Sequence, residues 1–316
     1  MESSPEPAAA ELPVPGLRSH VALLAMALIW ALNFSIAKGA LATIPPLAFN
    51  ALRFPMAAIV VTAGMVRRPG LRLPARRDIL PLVLLGLLSN VFYQLCFIFG
   101  LANTRAGTAS VLLSGTPIVT ALLAAAIGQE IIVPRVWVGA VATVIGMAFV
   151  VAGSPPAEAG GNTMLGNGLL VGATLTWALY SVAARNLIRH YGALSVTTWT
   201  LWSGTAAVML IGLPSLAHID LWAIGVSGWL AVAYAGALSI GVAYVLWSYG
   251  VRHLGPTRTA TYSNLVPVLA LAGAWLLLGE TPSGYQVLGA LVIIAGVTAA
   301  QIRRPGVVLP PRSSVP

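Results

Sequence analysis

Arg53 stands in the run PLAFNALRFPMAAIVVTAG, seven residues past Pro46 and three past Asn50. On a helix, residues three apart share a face, and seven residues reach about 10 Å into a span at 1.5 Å per residue. Ionisable and polar residues at such depth are the default candidates for a substrate path. Other pairs repeat that spacing logic: Trp30 with Asn33, Trp177 with Tyr180, and Asn90 with Gln94. Tyr244, Ser263 and Asn264 add further polar groups inside apolar runs. Amides offer donors and acceptors, and aromatic rings offer apolar walls, which together suit a small amphipathic molecule. Each residue also has a plainer reading: amides bond neighbouring helices, and Trp and Tyr form interface belts. No span holds an acid to partner Arg53. An uncompensated cation favours a substrate with a carboxylate, so zwitterionic amino acids or organic anions are expected over cationic drugs.

Catalytic chemistry finds little here. An embedded enzyme would need a nucleophile–base pair, a metal cluster or paired carboxylates. His20, His190, His218 and His253 all fall at span ends or in loops, and no H-E-x-x-H or G-x-S-x-G occurs. The lone Cys96 excludes an intrachain disulfide and a cysteine-based metal site, and packing is its expected role. No enzyme activity, metal or cofactor is expected.

The elements that position these residues follow from composition. The chain has 316 residues, 58% apolar and 8% charged. A soluble domain carries about 25% charged residues, so the solvent of this chain is lipid. Apolar runs of spanning length occur at 21–42, 46–66, 79–101, 107–127, 134–153, 166–188, 194–216, 229–250, 256–278 and 284–302. Residues 1–20 read as a disordered cytoplasmic tail, 154–165 as an external linker and 303–316 as a second cytoplasmic tail. The first residues lack the basic region of a signal peptide, and the A-x-A pattern at Ala40–Ala42 lies beyond a long apolar run and Lys38.

The formal charge of +9 does not point to nucleic acid. Arg67, Arg68, Arg72, Arg76 and Arg77 fill one connection, and Arg303, Arg304 and Arg312 follow the last run. With the N-terminus inside, only Arg105 falls in an outside loop, so both termini are expected in the cytoplasm.

The chain also repeats itself. TPIVTALLAAAIGQE (Thr116–Glu130) returns as VPVLALAGAWLLLGE (Val266–Glu280). Pro117 and Pro267, Glu130 and Glu280, Gly139 and Gly289, and Gly146 and Gly296 each differ by 150 positions. WALNFSIAK (Trp30–Lys38) resembles WALYSVAAR (Trp177–Arg185). Two five-span units, 21–153 and 166–302, enter the membrane from opposite sides because five is odd. The expected fold is an all-α integral membrane protein of ten helices in two inverted repeats, with a site between the halves. Glu130 and Glu280 precede the fifth and tenth spans, where carboxylates can meet positive helix ends. A gate at each mouth is the alternative. The glycine pairs, seven apart, mark stripes of close helix approach. Pro117 and Pro267 are expected to kink spans four and nine. Lys38, paired by the repeat with Arg185, is expected to snorkel to headgroups.

These features carry a family resemblance. The ten-span layout, LRFPMAA in span two and the Pro…LGE…G…G pattern of spans nine and ten resemble a drug/metabolite transporter of the EamA type. The resemblance covers about 21–302 and implies a secondary carrier of the inner membrane, often an exporter of amino acids or related metabolites. A nucleotide-sugar or lipid-linked sugar carrier on the same fold, a channel and a receptor stay open, as does the choice between monomer and homo-oligomer. The expected partners are a small-molecule substrate and the bilayer. All eight acids (Glu2, Glu6, Glu11, Asp78, Glu130, Glu158, Asp220, Glu280) lie in tails, loops or span ends. Without a proton carrier at mid-membrane, facilitated diffusion or exchange is expected.

Overall fold

The computed structural model describes residues 17–67, 73–129, 133–154 and 163–301. Every regular element among them is helical. Span one is Leu17–Ala40, two Pro46–Val66, three Arg76–Asn103, four Ala106–Ala126, five Pro134–Ala152, six Thr163–Ala183, seven Ala193–Ala217, eight Gly225–Leu254 and nine Arg258–Leu278. Span ten is Gly284–Gln301. The first nine are long and apolar enough to cross a membrane, and Gly284–Ala300 is a shorter apolar helix. Helices satisfy their own backbone groups, which lipid cannot do. Their outer faces are apolar: Val144, Leu276 and Leu291 are all exposed. The expected tail 1–20 needs one correction, because helix begins at Leu17. Residues 1–16, the second tail 303–316 and 155–162 of the linker lie outside the described residues.

Ten crossings return the chain to the side it left. The start of span one and the end of span ten therefore share one face, called here the terminal face. The halves are intermingled, with span one against nine, two against seven and eight, three against seven, and five against ten. The middle of the molecule is thus an interface between the two repeats.

The glycine stripes fix the packing of spans five and ten. A Cβ on Gly146 would lie 2.7 Å from the Gly289 carbonyl oxygen, and one on Gly139 would lie 2.6 Å from that of Gly296. Gly289 and Gly296 face Gly146 and Gly139 in return. A side chain at any of the four would push the helices apart, against the tight packing on which helix association in lipid depends.

Two irregularities occur once in each half. Spans three and eight carry π-helical segments, Leu88–Phe92 and Tyr234–Val242. Such segments often occur at functional sites. Spans four and nine are each broken, at Ser114–Gly115 and at Asn264–Leu265. Pro117 and Pro267 follow each break as early residues of the next helix. Proline suits a first turn because it lacks an N–H and clashes with the turn before it. The bend therefore lies two residues ahead of each proline. In span four the Thr116 hydroxyl donates to the Leu113 carbonyl at 2.6 Å, the acceptor that an N–H at position 117 would otherwise have used.

Candidate functional site

A cavity of about 410 Å³ occupies the interface between the halves. It is lined by both π-helical segments, by both breaks and by spans one, two, six and seven. Its lining runs out to Ile188 and Ala193 at the terminal face. Towards the opposite face it ends at Phe34, Phe97 and Ser110.

Arg53 is 1% exposed and faces this cavity. Its Nε donates to Asn50 Oδ1 at 3.0 Å and its Nη2 to Gln94 Oε1 at 2.7 Å. The guanidinium carbon lies 5.0, 5.8 and 5.9 Å from the ring centres of Phe49, Phe54 and Phe97. A cation at mid-membrane costs at least about 2.5–3.5 kcal/mol. Two hydrogen bonds from a charged group, about 1.5–3 kcal/mol each, and the aromatic faces offset that cost without a counter-ion. The described carboxylates are engaged or placed elsewhere. Asp78 accepts from Tyr191, Asp220 lies in a loop, and Glu280 accepts from Ala106 and Gly107. Two of the five guanidinium N–H groups of Arg53 are thus used, and three find no acceptor among the described residues.

Span eight brings Arg53 towards the first span. A Cβ on Gly236 would lie 2.4 Å from the Arg53 carbonyl oxygen, so only glycine allows this approach. One turn later the Ser239 carbonyl accepts from Trp30 Nε1 at 3.0 Å. Trp30 then contacts Tyr244 and Trp247, with ring centres 5.9 and 5.7 Å away. Trp177 contacts Tyr93, Tyr180 and Tyr244 at 4.9, 5.3 and 6.3 Å. The result is a continuous aromatic wall contributed by both repeats.

The amides divide by role. Asn33 lines the cavity, and its buried Oδ1 has no partner among the described residues. Ser263 Oγ is in the same condition. Asn90 donates to Ser89 Oγ and to the Thr200 carbonyl, so it joins span three to span seven as well as lining the cavity. Asn264 donates to Thr298 Oγ1 at 3.3 Å in span ten. Asn50 is 1% exposed and is absent from the lining; it acts through Arg53. Cys96 packs in the core beside Gly172.

Beyond the residues expected from sequence, Tyr93, Trp247, Ser239 and Thr200 also line the cavity. Tyr93 lies three residues after Asn90, and Trp247 three after Tyr244, so helical spacing from the expected residues would have found both. Ser239 contributes a backbone carbonyl, for which side-chain type carries no signal.

Two expected end groups have different partners. Lys38 has acceptors within the protein. Its Nζ donates to the carbonyls of Leu101 and Ala102 at 3.0 and 2.9 Å, at the end of span three. These late carbonyls lack helical donors and attract a cation. Glu280 does not cap span ten. Its two oxygens accept from the N–H groups of Ala106 and Gly107, at 3.0 and 3.1 Å, at the start of span four. Span ten is capped by its own Ser283 and Gln286, which bond each other's backbone N–H reciprocally. Glu130 lies outside the described residues.

The model of the EamA-like transporter family matches residues 17–152 and again 164–300. A probable terminal-alkyne amino-acid exporter of Streptantibioticus cattleyicolor is 29% identical over 79% of this chain and 82% of its own. A probable amino-acid metabolite efflux pump of Escherichia coli is 28% identical over 89% of this chain and 93% of its own. One solved crystal structure superposes with a TM-score of 0.62 at 22% identity, over 90% of this chain and 96% of the other. At that identity the likeness concerns the fold alone.

Proposed function

Because the chain belongs to the EamA-like transporter family, and is thus a multi-pass membrane transporter of the drug/metabolite type, we propose that it exports amino acids or related carboxylate-bearing metabolites by facilitated diffusion or exchange. The observation that carries this reading is Arg53: a cation in the cavity between the halves, with three further N–H groups and no carboxylate partner among the described residues. A substrate carboxylate suits those donors, because a planar guanidinium binds it through paired hydrogen bonds. The aromatic wall suits an apolar body of modest size. Names of relatives that include amino-acid export lend weight to the same class. We place the carrier in the cytoplasmic membrane with both termini inside, on the arginine distribution. In that orientation the cavity of this structure faces the cytoplasm, ready to load an outgoing substrate.

Two measurements test this. Purified protein in liposomes, preloaded with single amino acids, should catalyse saturable counterflow of the labelled compound. Counterflow of quaternary amines, with none of any amino acid or organic anion, would overturn the substrate class. For orientation, a cysteine placed at Ser154 should react with an impermeant reagent added outside intact cells. Reaction only after permeabilisation would reverse the topology.

A further inference from the structure

The cavity is open at one face and blocked at the other, and the block has a specific construction. Span four divides at Ser114–Gly115 into Ala106–Leu113 and Thr116–Ala126. The first segment lies between the cavity and the opposite face. Its Ser110 and Leu113 line the cavity floor, and Ala106–Leu112 are all buried. Ser110 is four residues from the segment's start, so the plug below the cavity is about 6 Å deep.

The start of that segment is held from the other repeat. Gly279 ends span nine in the left-handed conformation, with φ of 67°, and the Glu280 N–H turns back to the Ala274 carbonyl at 3.1 Å. This turn aims the Glu280 carboxylate at the first two N–H groups of the segment. Gln286 Nε2 donates to Thr108 Oγ1 at 2.7 Å beside it. Arg105 Nη1 donates to the Thr281 carbonyl at 3.4 Å. Gly107 keeps the approach close, since a Cβ there would meet the Leu271 side chain at 2.8 Å. These contacts join one repeat to the other at the mouth opposite the terminal face. A carrier that works by alternating access must break them once per cycle.

We propose that Glu280 is the releasable latch of that mouth: it holds Ala106–Leu113 as a plug, and its release lets the plug swing about the Ser114–Gly115 break and open the cavity to the opposite face. A carboxylate on two backbone N–H groups suits such a role. It is strong while engaged, and water can replace each bond on release. The break supplies the hinge, because a segment already interrupted there can change its angle without losing a continuous helical ladder. Glu280 is a positioning residue in this scheme and does not touch substrate.

The inference rests on the carrier reading for its purpose, but its test needs no substrate, so the two fail separately. In a Cys96→Ser background, Leu113→Cys places a reporter on the cavity floor. Its reaction with an impermeant thiol reagent is timed from each face, in proteoliposomes sorted by orientation. With Glu280 present, reaction from the terminal face should be the faster. Glu280→Ala should raise the opposite-face rate about tenfold, as expected for losing hydrogen bonds to a charged group, and lower the terminal-face rate. Glu280→Gln keeps one acceptor oxygen and should shift both rates in the same directions by less. An unchanged opposite-face rate in both variants overturns the latch. So does an equal rise from both faces, which would mean a loosened fold. If Glu280→Ala is not recovered as monodisperse protein, the direction of the Glu280→Gln shift decides alone.

Discussion

Span two and span seven occupy equivalent places in the two repeats, yet only one carries a charge to the cavity. Span two presents Arg53; span seven presents Thr197, Thr200 and Leu201. Elsewhere the halves match closely. Both have a π-helical segment, a broken span followed by proline, and a stripe of glycines. What recurs in both halves is what the double build requires: places for helices to approach, bend and turn. What occurs once is free to serve the cargo. By that division Arg53 is the residue we propose for the substrate, while Pro117, Pro267, Gly139, Gly146, Gly289 and Gly296 lie at the breaks and close approaches of the frame.

The largest effect should come from breaking the unmatched side. Arg53→Ala should reduce counterflow of a carboxylate-bearing substrate by about tenfold to a hundredfold, the scale of hydrogen bonds to a charged group. Arg53→Lys should recover part of it, because an ammonium keeps the charge but loses the planar fork. Thr200→Ala and Lys38→Ala should leave counterflow within about twofold. Thr200 Oγ1 is occupied by the Val196 carbonyl, and Lys38 holds the end of span three. Equal losses in Arg53→Ala and Lys38→Ala, at matched protein levels, would remove the distinction between cargo and frame.

Changes to the matched side should act on stability in both halves alike. Gly146→Leu and Gly289→Leu each force a side chain into a facing carbonyl. Overpacking of this kind costs about 1–3 kcal/mol. Both variants should melt lower in detergent, by similar amounts. If only one of the pair lowers the melting temperature, the stripes are not equivalent.

Much of this frame was legible in the chain. The spans showed as apolar runs, the repeat as matched Pro, Glu and Gly positions, and the stripes as seven-residue spacing. The identity of partners was less so. The spacing from Glu280 to span ten said that a helix start was near, but several helix starts meet at one mouth, and only the fold tells that Ala106 is the one reached. Lys38 likewise showed as an end residue, while its acceptors 63 and 64 positions away depend on span three lying alongside. A single chain read without its neighbours cannot rank such distant partners.

The two glutamates sharpen the comparison further. The residues 150 positions beyond Ala106 and Gly107 are Pro256 and Thr257. Proline has no N–H, so the helix Pro256–Ser263 that leads into span nine offers one donor at its first two positions where span four offers two. The turns differ as well: Gly279 directly precedes Glu280, whereas Gly128, with φ of 72°, is separated from Glu130 by Gln129. If Glu130 serves the terminal face in the mirrored state, it forms the weaker hold. Glu130→Ala should then change the face-specific labelling of a cavity cysteine by about threefold or less, against about tenfold for Glu280→Ala, in proportion to the donors lost. A larger effect for Glu130→Ala would reverse the order of the two mouths.

The smallest expected effect concerns protons. Among the described residues no carboxylate or histidine lines the cavity; its ionisable groups are Arg53, Tyr93, Tyr180 and Tyr244. An arginine stays protonated near neutrality, and the ordinary tyrosine pKa of about 10 makes it a poor relay there. Lys38, the remaining amine within a span, is turned to the end of span three and away from the cavity. Among the described residues the cavity therefore holds no group suited to carry a proton near neutrality. With membrane potential clamped, counterflow in preloaded liposomes should change by less than about twofold when the pH gradient is collapsed. For substrates with net charge, imposed potential should still shift net flux, because the carrier then moves charge across the membrane. The contrary outcome is uphill export that requires an inward proton gradient and loses that requirement in Glu280→Gln. It would mean that the coupling runs through the mouth held by Glu280 rather than through the cavity.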